Sequence, residues 1–489
     1  MTTSPASPPG PNADRHVTQR EFLRLFVAIM LPMVMASLDQ GLLATATPIV
    51  AAELGELHDS SWIITAYMLM NALTVQIYGR LGDRHGRREM LFVAMGFYVA
   101  GAVVSGTAQS MTHLIIGRAI QGIGGGGLMS LSQALIGDVV APRDRGRAQG
   151  NNAAISVLAS TLGPLVGGFM VEAAGWRSMF LFTVPLALIA MVVLGRQPVP
   201  STRATTQRTF DLGGFLSLLV LVLGSTAAIE LAADPATRLW AAFGAAAALA
   251  GLAGLIRTQP RAKNPFFPPS LFAVPAISRA SIMTFFHGAA LVSLVTTIPL
   301  FHAILRSDGV ITTAMSMLAL TVAFGIAGMI IGNLITMTGR TVLFPTLSLP
   351  VTFVAIIFLS IVGPDLSRAA LMATYLVIGL SLGTVMSVMN TIIQVTAPDA
   401  VRGRAAGSVT FFRSIGAVVG TALVSFVLFA VAPHAAGTDP GAILAGGGSV
   451  DPALLDGWRT AFRAAFLTVA AFVVVEWTMG LINPLRRVD

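Results

Sequence analysis

The sequence contains no cysteine and very little charge: Cys 0, and only 11% Asp, Glu, Lys and Arg in 489 residues. The first absence excludes disulfides, thiol catalysis and cysteine-ligated zinc or iron–sulfur centres. The seven histidines are scattered, so no metal site is expected. No phosphate loop ending in Lys and Ser/Thr is present, which removes ATP as the expected energy source, and no Ser–His–Asp pattern supports an enzyme. A soluble domain carries roughly 25% charged residues, so this chain cannot clothe itself in a hydrated surface. What it has instead is apolar length: 55% hydrophobic residues, a mean hydropathy of +0.79, and runs long enough to cross a hydrocarbon core as helices. These features define an all-α integral membrane protein.

Candidate spans fall at 24–52, 61–79, 90–108, 113–139, 148–172 and 177–195, then 212–231 and 238–256, then 279–304, 311–336, 341–362, 369–396, 404–432 and 459–482. Residues 1–23 form a Pro-, Ser- and Thr-rich tail with no signal-cleavage pattern, so the first span is expected to remain uncleaved. Residues 24–195 make an N-terminal six-helix half. Residues 196–278 hold linkers and two extra helices, and 279–489 make a C-terminal six-helix half with an enlarged outer loop at 433–456.

The net charge of +8 and pI near 11 are read as topology rather than as a nucleic-acid surface. Short loops rich in Arg or Lys stay cytoplasmic, and alternate loops here are basic. Arg15, Arg20 and Arg24 precede span one; Arg80, Arg84, Arg87 and Arg88 follow span two; Arg143, Arg145 and Arg147 follow span four. The parity continues through Arg196, Arg203 and Arg208, then Arg257, Arg261 and Lys263, then Arg340, then Arg402 and Arg404, and ends at Arg486 and Arg487. The opposite loops hold Glu53, Glu56, Asp59, Asp234, Asp365, Asp439 and Asp451. Both termini are therefore expected in the cytoplasm, with the chain in the cell (inner, cytoplasmic) membrane.

Internal repetition organises the spans. Gly79 to Arg88, GRLGDRHGRR, has a worn counterpart in Gly332 to Thr341, GNLITMTGRT. Ala141-Pro142 with Arg145-Gly146-Arg147-Ala148 recurs as Ala397-Pro398 with Arg402-Gly403-Arg404-Ala405, and Gly175-Trp176-Arg177 recurs as Gly457-Trp458-Arg459. Spans one to six and nine to fourteen are thus duplicated halves. Two related halves facing a cavity is an architecture of secondary transporters.

In the first repeat, Gly82 and Gly86 are expected to turn the chain tightly, presenting Asp83 beside Arg84, Arg87 and Arg88 at two helix ends. Asp138, at the end of span four, is a candidate partner for one of these Arg. The cluster is either a conformational latch or a solvated basic loop obeying the charge rule.

Gly79 to Arg88 resembles the signature loop between helices two and three of the major facilitator superfamily. Other stretches are similar to its fourteen-helix drug:proton antiporter family: LDQGLLATATPIVAAELG at 38–55, SWIITAYML at 61–69, GRAIQGIGGGG at 117–127, LGPLVGG at 162–168 and NPFFPPSLF at 264–272. The resemblance implies a major-facilitator-like fold, two six-helix halves plus two inserted helices. It also implies proton-driven antiport of lipophilic, cationic or amphipathic compounds out of the cytoplasm. No cofactor is implied beyond the proton gradient, and the partners are small substrates, protons and membrane lipids around a monomer. On that reading Tyr67, Asn71, Gln121 and Asn390 line the substrate cavity. Gly41, Ala159, Ser178 and Thr183 depart from the family pattern at packing and cavity positions.

The residues carry their own reading. Asp39 lies 15 residues after Arg24 and 14 before Glu53, close to mid-membrane at 1.5 Å per residue. A charged Asp there costs roughly 2.5–3.5 kcal/mol, so it faces a cavity or a partner. Burial raises a carboxylate's pKa and an adjacent cation lowers it; Asp39 is either a proton carrier or a permanently satisfied polar lock. Arg118 is the candidate cation, with or without direct contact. The run Gly122, Gly124, Gly125, Gly126 and Gly127 bares backbone for close helix packing or a bend. Gly163-Pro164 with Gly167-Gly168 is a kink at a helix interface, hinged or purely structural. In the second half Arg413 and Glu476 lie at similar depth, either paired, or with Arg413 facing the cavity and Glu476 a wet inner surface. His287 either titrates or is simply hydrogen-bonded. Asp39, Arg118, His287 and Glu476 are thus the proton-coupling candidates. Two rival readings are an exporter of an endogenous envelope lipid or metabolite, and a non-transporting scaffold or sensor, which has no need of a mid-membrane Asp39.

Overall fold

The computed structural model describes residues 19–43, 46–54, 60–139, 159, 162–197, 211–232, 237–262, 265, 269–397, 402–432 and 452–487. The N-terminal half comprises α1 (Gln19–Leu42), the short α2 (Thr47–Leu54), α3 (Ser60–His85), α4 (Arg87–Gly106), α5 (Met111–Val139), α6 (Leu162–Ala174) and α7 (Arg177–Gly195). The inserted pair is α8 (Leu212–Glu230) and α9 (Arg238–Thr258). After the short α10 (Pro269–Phe272), the C-terminal half comprises α11 (Pro275–Leu305), α12 (Val310–Thr338), α13 (Leu343–Val362), α14 (Arg368–Thr396), α15 (Arg402–Val431) and α16 (Pro452–Leu481). Eleven helices among the described residues are long and apolar enough to cross a membrane. The other three of the expected spans fall on α1, α3 and α6.

Three expected boundaries move. Span one, expected over 24–52, is two helices, and Pro48, which has no amide hydrogen to donate, follows the break; Thr47 Oγ1 caps the Leu43 carbonyl at 3.0 Å beside it. The last span starts at Pro452 rather than 459, so Gly457-Trp458-Arg459 is helical where Gly175 turns at φ 75°. The outer loop is shortened to match; its residues 433–451 lie outside the described set, as do Arg143, Arg145, Arg147, Arg203 and Arg208. Third, Gly82 is not in a turn. α3 continues through it to His85, and the break comes only at Gly86, whose φ of 105° is closed to most side chains. The counterpart loop breaks the same way, at Gly339 with φ 66° capping α12.

Glycines set how closely the helices pack. A Cβ on Gly122 or Gly126 would enter the α3 backbone at Tyr67 and Asn71, and one on Gly379 or Gly383 would enter the α12 backbone at Leu320 and Phe324. These two pairs are 257 residues apart, so α5 on α3 and α14 on α12 are one packing used twice. The four-residue spacing puts each pair on one helix face, where bare backbones supply the dispersion contact that a membrane core cannot obtain from hydrophobicity.

The halves meet along two lines. α2 lies against α11, and α3 against α15. The second contact is apolar: Leu69, Ala72 and Leu73 cluster with Phe411, Ile415 and Val418, and Leu218 and Val222 of the inserted α8 complete the cluster. The inserted pair therefore leans on the junction of the halves. α9 turns most of its surface outward, with Leu239, Trp240, Phe243, Leu249 and Ile256 exposed as a lipid-facing helix requires.

Candidate functional site

α1, α3 and α5 bring a closed polar ring into the N-terminal half. Arg118 Nη1 donates to Asp39 Oδ2 at 2.8 Å and to Gln121 Oε1 at 2.8 Å; Gln121 Nε2 donates to Asp39 Oδ1 at 3.0 Å. Arg118 Nε donates to the Ile63 carbonyl at 3.2 Å, and the guanidinium stacks 4.2 Å from the Tyr67 ring centroid. Side-chain exposure is 1% for Arg118 and 3% for Asp39. Charges enclosed in this way cost several kcal/mol each unless paired and hydrogen-bonded; both carboxylate oxygens accept, and the ring balances one negative against one positive charge. A proton arriving on Asp39 would remove that balance, so the ring can exist in two states of different charge.

Of the residues expected to line a cavity, Gln121 belongs to this ring and Tyr67 is its cation–π floor. Asn71 is buried beside Gly125. In this conformation all three are shut inside the half. Asn390 is exposed on α14, and Arg413 is half-buried with no ion-pair partner among the described residues. Gly163 and Gly167 press α6 onto α1: a Cβ on Gly163 would lie 2.6 Å from Gly41 Cα, and one on Gly167 would meet the Leu42 carbonyl. Gly41, a departure from the family pattern, is the residue that Gly163 packs against. Pro164 and Gly168 are buried in the first described turns of α6.

The C-terminal half pairs Glu476 with His287, not with Arg413. His287 Nδ1 lies 2.9 Å from Glu476 Oε1, both side chains are 0% exposed, and the imidazole stacks on Phe324. The Arg413 backbone packs against Gly288 beside the pair, where a Cβ would meet the Arg413 carbonyl.

At the basic loop of the first repeat, the arginines hold helix ends rather than one another. Arg87 Nη1 donates to the Ala134 carbonyl at 3.0 Å, tying α4 to α5; Arg88 Nη2 donates to the Gly195 carbonyl at 2.8 Å, tying α4 to the end of α7. Cations there satisfy orphan carbonyls and oppose the negative end of the helix dipole. Arg84 is exposed, Gly79 has open space around it, and a Cβ on Gly82 would lie 2.6 Å from Leu131 of α5. The side chains of Asp83 and Asp138 lie outside the described set.

The opposite face carries a clamp in each half. Glu53 accepts from Arg177 and from Trp176 Nε1, and Arg177 also donates to the Ala108 carbonyl at 2.9 Å. In the second half Arg459 donates to Asp365 at 3.0 Å, and Asp365 lies 257 residues after Ala108, the packing offset again. The Arg177 hydrogen bond, against a smaller opposing effect of burial and with help from Trp176, holds the Glu53 carboxyl below the usual carboxylate range. A depressed folded-state value stabilises above the unfolded pKa, and that stability is lost as pH falls through the folded one. Arg177→Gln should therefore lower the melting temperature at neutral pH and flatten its decline below about pH 5 relative to the wild-type chain. The pair is partly exposed, so the effect stays under about 1 kcal/mol.

The sequence reading paired neither of these clamps, and it missed a third cluster in the C-terminal half. His302 Nδ1 lies 2.9 Å from Asp308 Oδ2 and its Nε2 lies 3.2 Å from the Tyr375 hydroxyl. Arg306 donates to Asp308 and to the Gly363, Pro364 and Leu366 carbonyls. Burial pushes the Asp308 carboxyl up, but the hydrogen bonds from His302 and Arg306 outweigh it and hold it low. The available signal was the position of Asp308 opposite Glu53, 255 residues on in the other repeat.

Two related helical halves, each with an ionisable pair sealed inside it and arginine clamps at its loops, match the two-half architecture found among secondary transporters. The chain belongs to the Major Facilitator Superfamily, whose sequence profile matches residues 29–421. It is a multi-pass membrane protein of that family. It is 33% identical over 409 residues to an uncharacterised MFS-type transporter of Mycobacterium tuberculosis, covering 81% of this chain and 58% of that one; it therefore spans less than two thirds of that relative. It is 30% identical over 408 residues to the multidrug transporter protein MdtP of Bacillus subtilis, covering 83% and 75%. A bacterial homologue of the human lysosomal transporter Spinster, solved in an inward-facing and occupied conformation, shares the fold with a TM-score of 0.66 at 16% identity, over 96% and 98% of the two chains.

Proposed function

We propose that the chain is a proton-coupled antiporter that exports lipophilic, cationic or amphipathic compounds by alternating access, with fourteen spans and both termini on the cytoplasmic side of the cell membrane. The observation that carries this reading is the sealed Asp39–Arg118–Gln121 ring. A carboxylate held by one guanidinium and one amide has two states, paired or protonated, and exchanging them across the membrane is what proton coupling requires. The junction of α3, α8 and α15 is apolar and carries no ion pair among its clustered residues, so the halves can rock there without breaking charge contacts. The names of relatives such as the Bacillus subtilis multidrug transporter support a drug-like substrate.

Proteoliposomes holding an imposed pH gradient should accumulate a fluorescent lipophilic cation against its concentration gradient, and should lose that accumulation when an ionophore collapses the gradient. Equilibration alone, with the pH gradient intact, refutes antiport. For orientation, a single cysteine can be placed in this cysteine-free chain at Arg84 or at Asp439. An impermeant maleimide added to intact cells should label the 439 variant and spare the 84 variant; the reverse pattern inverts the topology.

A further inference from the structure

We propose that His287 and Glu476 form a second proton-binding site, in the C-terminal half, holding one exchangeable proton between them. The inference rests on the antiport reading only for its place in the transport cycle; the site itself rests on geometry. Glu476 Oε1 and His287 Nδ1 are 2.9 Å apart, while the other polar atom of each residue, Glu476 Oε2 and His287 Nε2, is buried with no hydrogen-bond partner. More than about 90% of buried polar groups are paired, so two orphans on adjacent side chains are a chemical constraint. A charged carboxylate with a bare oxygen in a dry site is far costlier than a neutral carbonyl oxygen there. The state compatible with these surroundings is a carboxylic acid sharing its proton with a neutral imidazole, with zero net charge. Losing the proton leaves a net negative pair, which needs water at Oε2 and Nε2. The two orphans are therefore the points at which a conformational change that wets the site draws the proton off, and a change that dries it favours uptake.

Among the described residues no other charged group forms an ion pair with His287 or Glu476. α12 and α13 contain no charged residue. On α14, Arg368 and Tyr375 are engaged with Asp308 and His302. On α16, Asp456, Arg459 and Arg463 lie more than three turns before Glu476. Arg279 of α11 is bound to the Ile482 carbonyl, Glu53 of α2 is clamped by Arg177, and Arg413 of α15 forms no ion pair with Glu476, whose partner is His287. The site is also mechanically connected. A Cβ on Gly288, Gly416 or Gly420 would strike the facing helix, so α11 and α15 touch backbone to backbone beside the pair, and both helices also meet the N-terminal half, α11 at α2 and α15 at α3.

The test is proton counting on the purified full chain in nanodiscs, by unbuffered titration and by infrared detection of the protonated-carboxyl band. Glu476→Gln should bind about one proton fewer per chain than wild type between about pH 5 and 9, and should lose part of that band; His287→Gln should keep the carboxyl but shift its frequency and titration. Asp39→Asn should leave the Glu476 band in place. Gel filtration identifies any misfolded variant, and the His287→Gln frequency shift then serves as the deciding measurement. Identical titrations for wild type and Glu476→Gln, or a carboxyl band indifferent to His287→Gln, overturn the proposal. If the band depends on Glu476 while no pH gradient drives transport, the antiport reading fails and the site stands. If transport is proton-driven and titration ignores Glu476, the site fails and antiport stands.

Discussion

Asp39→Asn should abolish uphill transport while leaving the protein folded. Asn has the size of a protonated Asp and can still accept from Arg118, so the ring keeps its shape; it cannot gain or lose a proton. Proteoliposomes carrying the variant should bring substrate to equal concentrations and no further, whatever pH gradient is imposed, and substrate addition should release no proton from the ring. Wild-type accumulation by the variant would make Asp39 a structural lock, and the N-terminal half would then contribute no coupling group.

Arg118→Ala should have the larger effect on stability. It removes the cation from a carboxylate that is 3% exposed, frees the Ile63 carbonyl and empties the space above Tyr67. Breaking a buried pair by deleting one partner costs about 3–5 kcal/mol, because the remaining charge is left uncompensated. Protonation is the remaining way to neutralise Asp39, so the melting temperature of the variant should recover on acidification, whereas the Glu53–Arg177 clamp weakens in acid. A melting curve unchanged from wild type at neutral pH would mean that the ring contributes nothing to holding α1 against α5. The double variant Asp39→Asn, Arg118→Ala should be more stable than Arg118→Ala alone, because no bare charge is left.

The choice of Arg118 as the candidate cation for Asp39 was legible before any coordinates, because both were placed by counting residues along apolar helices, while their direct contact was left open. Gln121 was legible only as a polar residue within a span. Its role in closing the ring depends on lying one turn from Arg118, on the face of α5 that meets α1. Glu476 shows the limit of counting. Its depth matched that of Arg413, which left a pair between them open, but helix rotation turned Glu476 towards α11 and His287. The turn assigned to Gly82 failed for a related reason: glycine permits a turn without requiring one, and here the missing Cβ is used for the approach of Leu131.

Composition, hydropathy and the repeated motifs by themselves determined that this protein is a helical membrane protein of two duplicated halves with an inserted pair, since each signal is local in the chain and a helix in lipid must satisfy its backbone internally. The tertiary structure alone decided which polar side chains meet. Asp39 and Arg118 are 79 residues apart and His287 and Glu476 are 189 apart. Contact across such distances depends on the rotation of each helix about its own axis, which is set by where glycines let backbones close and not by how apolar the helix is.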